Sequence, residues 1–108
     1  MSKTKVLANY FSDRIGYMGN DLYDGNYWYA ELSKSPNSFN YTTLGGLKYK
    51  QKLKITYQGT TAYAYKGDER PGDSNHSEIS LHHNLANYLQ LEDDFKYVYI
   101  EKVEEEEK

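Results

Sequence analysis

The chain has 108 residues, enough for one domain with one modest core. It carries 13 basic and 16 acidic residues, a net charge of -3, and much of the acid excess lies in Glu104-Glu105-Glu106-Glu107. The near-neutral remainder argues against a broad nucleic-acid surface or an acidic mimic of DNA, and the lack of cysteine excludes disulfides, thiolate metal sites and a cysteine nucleophile.

In chain order, Lys5 to Phe11 alternates as a first strand, with Val6, Ala8 and Tyr10 on one side. Ser12 to Asn26 is rich in Gly, Asn and Asp and predicts a long irregular loop, a type of segment that is commonly functional. Tyr27 to Leu32 is a second strand. Ser33 to Thr43 is loop, turning at Ser35-Pro36-Asn37-Ser38, and Gly45-Gly46 punctuates the chain before the next element. Leu53, Ile55 and Tyr57 alternate with Lys52, Lys54 and Thr56 as a half-buried strand, and Gln58-Gly59 turns it into Thr60 to Lys66, a hairpin. Alternation of Lys48, Lys50, Lys52 and Lys54 places four cations on one strand face, suited to phosphates, to an acidic wall polymer, or simply to a solvated edge.

The loop Gly67 to Ser77 opens with Asp68 at the end of that strand. Leu81, Leu85 and Leu89, at i, i+4 and i+8 with Ala86 beside them, predict an amphipathic helix over Leu81 to Gln90, with Ser80 placed to cap it. Glu92-Asp93-Asp94 is a connecting turn and Phe95 to Val103 a last strand. Residues 1–103 thus form one domain, and 104–108 an acidic, solvated tail. Five or six short strands and a small helix read as a closed β-barrel, because an open sheet of this kind would leave tyrosine-rich edges.

This order of motifs resembles the double-psi β-barrel of expansins, barwin-like proteins and rare lipoprotein A-like proteins. Ala8-Asn9-Tyr10 and Gly16-Tyr17-Met18-Gly19 match its opening strand and Gly-rich loop, and Ala30-Glu31-Leu32 its second strand. Gly45-Gly46 and the hairpin from Leu53 to Tyr65 come next, in the family's order. Asp68-Glu69-Arg70-Pro71-Gly72 is similar to an Asp-x-x-Pro-x-Gly loop, and Ile79-Ser80-Leu81-His82 to an Ile-Asp-Leu-Ser strand that runs into a short helix. The resemblance covers Lys5 to Val103 and implies a mainly β fold: a small six-stranded double-psi barrel with one or two short helices. Two departures stand out. Ser80 replaces an Asp that helps organise the family's site, and Leu32 or Ser33 stands where the lytic transglycosylase branch carries a His.

Cleavage of a glycosidic bond takes two carboxyls at controlled separation. Asp68 is the candidate acid, its pKa raised by burial against Tyr63 or Tyr65, and Asp13, Asp21 or Asp24 is a possible second group. The bland reading of Asp68 is an Asx turn residue. His76, His82 and His83 make a poor ligand set, since adjacent histidines point apart, and no metal or cofactor is expected.

The 13 tyrosines are either ordinary strand formers or stacking surfaces. The resemblance implies binding, without hydrolysis, of an extended cell-wall polysaccharide in a groove floored by Tyr10, Tyr17, Trp28, Tyr63 and Tyr65, with Asp24 and Pro71 beside Asp68. Loss of the second Asp at Ser80 favours loosening of polymer contacts over hydrolysis, although Glu78 is placed to substitute on the same strand face. The alternative is a protein-binding module, such as a phage-type inhibitor, that uses the barrel as a scaffold. A monomer is expected, with a polysaccharide or protein partner and no nucleic acid. The start MSKTKVLANYF has no apolar signal region and no segment is long enough to span a membrane, so the chain as written would stay in the cytoplasm; a mature form of a secreted protein would be extracellular.

Overall fold

The computed structural model describes residues 3–91 and 95–104. The connecting turn assigned to Glu92-Asp93-Asp94, and the acidic tail beyond Glu104, lie outside the described residues. Six strands and one helix run in the order β1 (Thr4–Phe11), β2 (Trp28–Leu32), β3 (Lys52–Tyr57), β4 (Thr60–Arg70), β5 (Ile79–His82), α1 (His83–Tyr88) and β6 (Lys96–Lys102).

The strands close into a barrel in the order β1-β5-β2-β4-β3-β6. Pairs β1/β5 and β2/β4 are parallel and the other four antiparallel, so the barrel is mixed. Each strand has two neighbours, which removes the edges that a tyrosine-rich sheet would expose. The β3–β4 hairpin turns at Gln58 (φ 48°) and Gly59 (φ 84°), two left-handed residues in succession, the geometry that matches strand twist in a two-residue turn.

Alternation sorts the side chains as expected. Val6 and Ala8, Leu53 and Ile55, Ala62 and Ala64, and Val98 and Ile100 point inward with Ile79 and Leu81, and Leu85 and Leu89 plug the core from α1. A second, smaller cluster of Phe11, Leu22, Trp28 and Ala30, with Tyr65 packed on it, lies under the first long loop. Tyr10 keeps the side of Val6 and Ala8, opposite Leu81 of β5, but at the barrel end it is 39% exposed, while Phe11 on the other side is buried.

Three boundaries differ from the sequence reading. β4 runs on through Arg70, because Ala30, Glu31 and Leu32 of β2 pair with Asp68, Glu69 and Arg70. A Gly-Asp-Glu-Arg composition resembles loop, and the β2 partner overrides that local preference. Leu81 belongs to β5, held between Tyr10 of β1 and Tyr29 of β2, so the helix begins only at His83. His82, not Ser80, is its N-cap, with no side-chain capping bond. Lys48 and Lys50 precede β3 in loop and turn, and only Lys52 and Lys54 share a strand face.

Candidate ligand-binding site

Asp68 is 6% exposed on β4, one step past Gly67. Its Oδ1 accepts a hydrogen bond from the Glu69 N–H at 2.8 Å, and its Oδ2 lies 3.9 Å from Nη1 of Arg70. Arg70 reaches across to pair with the Asp13 carboxylate and stacks over the Phe11 ring, 4.8 Å from its centroid. The Asp13 carbonyl meets Nε2 of the buried His82 at 2.8 Å, which ties the start of the first loop to β5. Burial pushes the Asp68 carboxyl above its ordinary value, against the opposing pull of the Glu69 N–H and Arg70.

Of the candidate second carboxyls, Asp13 is the one brought to Asp68, through their shared guanidinium. Asp21 accepts the Tyr23 N–H and Asp24 serves Trp28. Ser80, Ala30 and Asp68 stand in one row across β5, β2 and β4. Glu78 accepts the Leu7 N–H at 3.1 Å and borders a separate cavity with Thr4, Val6 and Ile100.

Trp28 forms the aromatic wall. Its Nε1 donates to Asp24 Oδ1 at 2.9 Å, and the same oxygen accepts the Asn26 N–H at 3.0 Å. The Asn26 side-chain amide donates to Asp24 Oδ2 at 3.2 Å. Slight burial works the other way, but these donors hold the Asp24 carboxyl below its ordinary value. The indole packs against Tyr65, ring centroids 6.1 Å apart, and over Gly67, where an added Cβ would lie 2.6 Å from the Trp28 Cε3. Asp24, Asn26, Trp28, Lys50 and Tyr65 line a cavity of about 230 Å³. Tyr63 continues the surface outward, with Lys52 over both its ring and that of Tyr65 at 5.2 and 5.9 Å.

Tyr17 reaches the same flank from the first loop, edge-on to Tyr49 with centroids 6.0 Å apart. Its ring also lies 5.7 Å from the Lys66 ammonium, and burial raises its hydroxyl pKa. Tyr10 does not join this surface; it borders another cavity with His83, Ala86 and Asn87. Pro71 is exposed immediately after β4. The register shift at Tyr29/Ala30 puts an extra residue of β4 between Lys66 and Asp68, so Asp68 stands opposite Ala30, on the side where Tyr65 packs against the Phe11–Leu22–Trp28–Ala30 cluster; Tyr63 is 49% exposed beside Lys52.

The sequence reading missed a buried charge centre. Lys66 Nζ lies 2.9 Å from both Glu31 Oε1 and Glu69 Oε2 and also donates to the Leu47 carbonyl. Glu31, fully buried, accepts the N–H groups of Leu44, Gly46 and Leu47 at 2.9, 2.7 and 2.8 Å. Gly45 (φ 94°) and Gly46 (φ 77°) permit the curl that aims these donors inward. Burial alone would depress the Lys66 pKa, yet Glu69 and Glu31 outweigh it and raise the value. Lys66 shares the inward side of β4 with Ala62 and Ala64, and Glu31 lies in the otherwise apolar Trp28–Leu32. Those two violations of pattern were the available signal.

Among the described residues, no three His, Asp or Glu side chains gather as a metal ligand set, and no helix is long and apolar enough to cross a membrane. In comparisons with known proteins, no family model matches the chain. No curated protein matches it either.

Proposed function

We propose that the protein is an expansin-like double-psi barrel that binds an extended cell-wall polysaccharide without cleaving it. The observation that carries this reading is the cavity shared by Asp24, Trp28 and Tyr65, three residues expected at a sugar-binding surface on other grounds. Tyr65, half-buried against a Trp28 that is itself only 3% exposed, offers a ring face for stacking on a sugar, and Asn26 offers polar atoms for its hydroxyls. The mixed strand order, with parallel β1/β5 and β2/β4 pairs, is compatible with the double-psi arrangement. The small Phe11–Leu22–Trp28–Ala30 cluster backs both the aromatic wall and the Asp68–Arg70–Asp13 group, so the two belong to one flank of the barrel.

Binding without hydrolysis is what the state of the acids supports. Asp68 is nearly enclosed, and Asp13 is committed to Arg70 rather than to activating a water. Binding is tested by sedimentation with insoluble cellulose, chitin and peptidoglycan, comparing wild type with Tyr65→Ala and Asp68→Asn. Wild type pellets with at least one polymer and both variants remain in solution. A wild type left in the supernatant with all three overturns the reading. The alternative, a protein-binding module, is favoured by Ile15 and Met18, which stand 57% and 60% exposed on the first loop; specific capture of one protein by wild type, lost in Met18→Asp, would establish it.

A further inference from the structure

Lys50, which lines the Trp28 cavity, is held in an unusual backbone conformation. Its φ is 69°, the left-handed region that glycine occupies freely and a lysine only at a cost. Two backbone bonds enforce it: the Lys50 N–H donates to the Lys66 carbonyl at 2.9 Å, and the Lys66 N–H returns to the Gln51 carbonyl at 3.1 Å. Lys50 lines the cavity together with Trp28 and Tyr65, and its ammonium lies 5.6 Å from the centroid of the neighbouring Tyr49 ring.

The charges in this cavity are not equivalent. Both Asp24 oxygens are occupied, by the Trp28 indole and by Asn26, so that carboxylate serves to orient the aromatic wall. Among the described residues, no carboxylate lies within ion-pairing distance of Lys50. A second lysine, Lys52, lies over the next ring along, that of Tyr65. A lysine lining the cavity beside Tyr65, with its ammonium over the neighbouring Tyr49 ring, suits a ligand unit with an apolar face and an anionic substituent.

We propose that Lys50 makes this cavity a subsite for a carboxylate-bearing sugar, so that the protein selects acidic polysaccharides over neutral ones. This rests on the polysaccharide-binding reading above and names the class of polymer. Lys50 would pair with the carboxylate, while Tyr65, backed by the buried Trp28, takes the ring face and Asn26 the hydroxyls. The Lys50 ammonium would form a charge-assisted bond with a carboxylate that a neutral sugar cannot reciprocate.

The test is calorimetric titration with an oligogalacturonide, a cello-oligosaccharide of equal length, and oligo(dT). Wild type is expected to bind the carboxylated oligomer roughly tenfold more tightly than the neutral one at low salt, as one charge-assisted bond provides. The gap should narrow as salt screens the pair. Lys50→Gly removes the ammonium but suits the backbone, so it should melt no lower than wild type and lose the gap. Lys50→Arg should retain the gap. Equal affinity of wild type for the two oligosaccharides, or a gap that persists in Lys50→Gly, overturns the proposal while leaving the polysaccharide reading standing. Failure to bind either sugar sinks both, and tighter binding of oligo(dT) makes the lysines a nucleic-acid surface instead.

Discussion

Lys66 and Glu31 concentrate the energetic risk in this molecule. Both are fully buried, and each satisfies what the other would otherwise leave as an isolated charge. Lys66→Met is expected to cost about 3–5 kcal/mol in a urea melt, because Glu31 and Glu69 lose their cation together. The double variant Lys66→Met/Glu31→Leu should recover part of that loss unless the Leu44–Leu47 loop collapses without its carboxylate; a double variant as weak as the sum of its parts would mean that Glu31 matters chiefly to the loop. Asp68 behaves in the opposite sense. Its folded pKa is raised, so the fold favours the neutral acid, and wild type is relatively destabilised above that raised value. Asp68→Asn should therefore melt at or above the wild-type temperature at neutral pH, with the advantage fading as pH falls through the raised value toward the ordinary carboxylate range. An early-melting Asp68→Asn at neutral pH would make the side chain a structural anchor for Glu69 and Arg70. Asp68 was legible in the sequence as an acid near a strand end. The Lys66–Glu31 pair was not, because a lysine and a glutamate on strands read by default as solvent-facing.

Among the elements, the hairpin β3–β4 and strands β1 and β6 were readable from alternation and from the Gln58-Gly59 turn, and β2, buried at every position, as a short aromatic-rich run. The helix was only half readable. Leu81 keeps helical spacing with Leu85 and Leu89, but spacing cannot tell whether the first of three leucines still belongs to a strand paired on both sides. Leu85 is fully buried, and Leu85→Ala is expected to cost about 2–5 kcal/mol; a change below about half a kcal/mol in a denaturant melt would show that α1 is not the plug of the core. Gly67 was read as a loop starter, whereas it is a mid-strand glycine against which Trp28 lies. Gly67→Ala would drive a methyl into the indole and the Leu22 side chain, so it should both lower the melting temperature and reduce the shift of Trp28 fluorescence on ligand binding. An unchanged melting temperature and emission spectrum would contradict that packing. Composition concealed this role, since Gly-Asp-Glu-Arg carries the residues of a turn.

For the whole molecule, the count of strands and the need to bury tyrosine-rich edges were enough to expect a closed barrel, and six strands do close. The site was less accessible to sequence reasoning, because it depends on which loop crosses which strand. The close approach of Gly16 to the Gly67 carbonyl, where a Cβ would lie 1.9 Å away, brings the first loop over β4 and sets Tyr17 beside Tyr49. No periodicity encodes such a crossing. Tyr10 faces a different cavity from Phe11 for a simpler reason: neighbours on a strand point to opposite sides. In the proposed function this flank holds a wall polymer without cutting it. One experiment tests both halves: incubate the protein with insoluble wall polymer, separate the pellet, and assay the supernatant for new reducing ends. The account predicts protein in the pellet, release of that protein by Tyr65→Ala, and no reducing ends above the protein-free control. Protein remaining in the supernatant, or reducing ends that accumulate with time and vanish in Asp68→Asn, would contradict it.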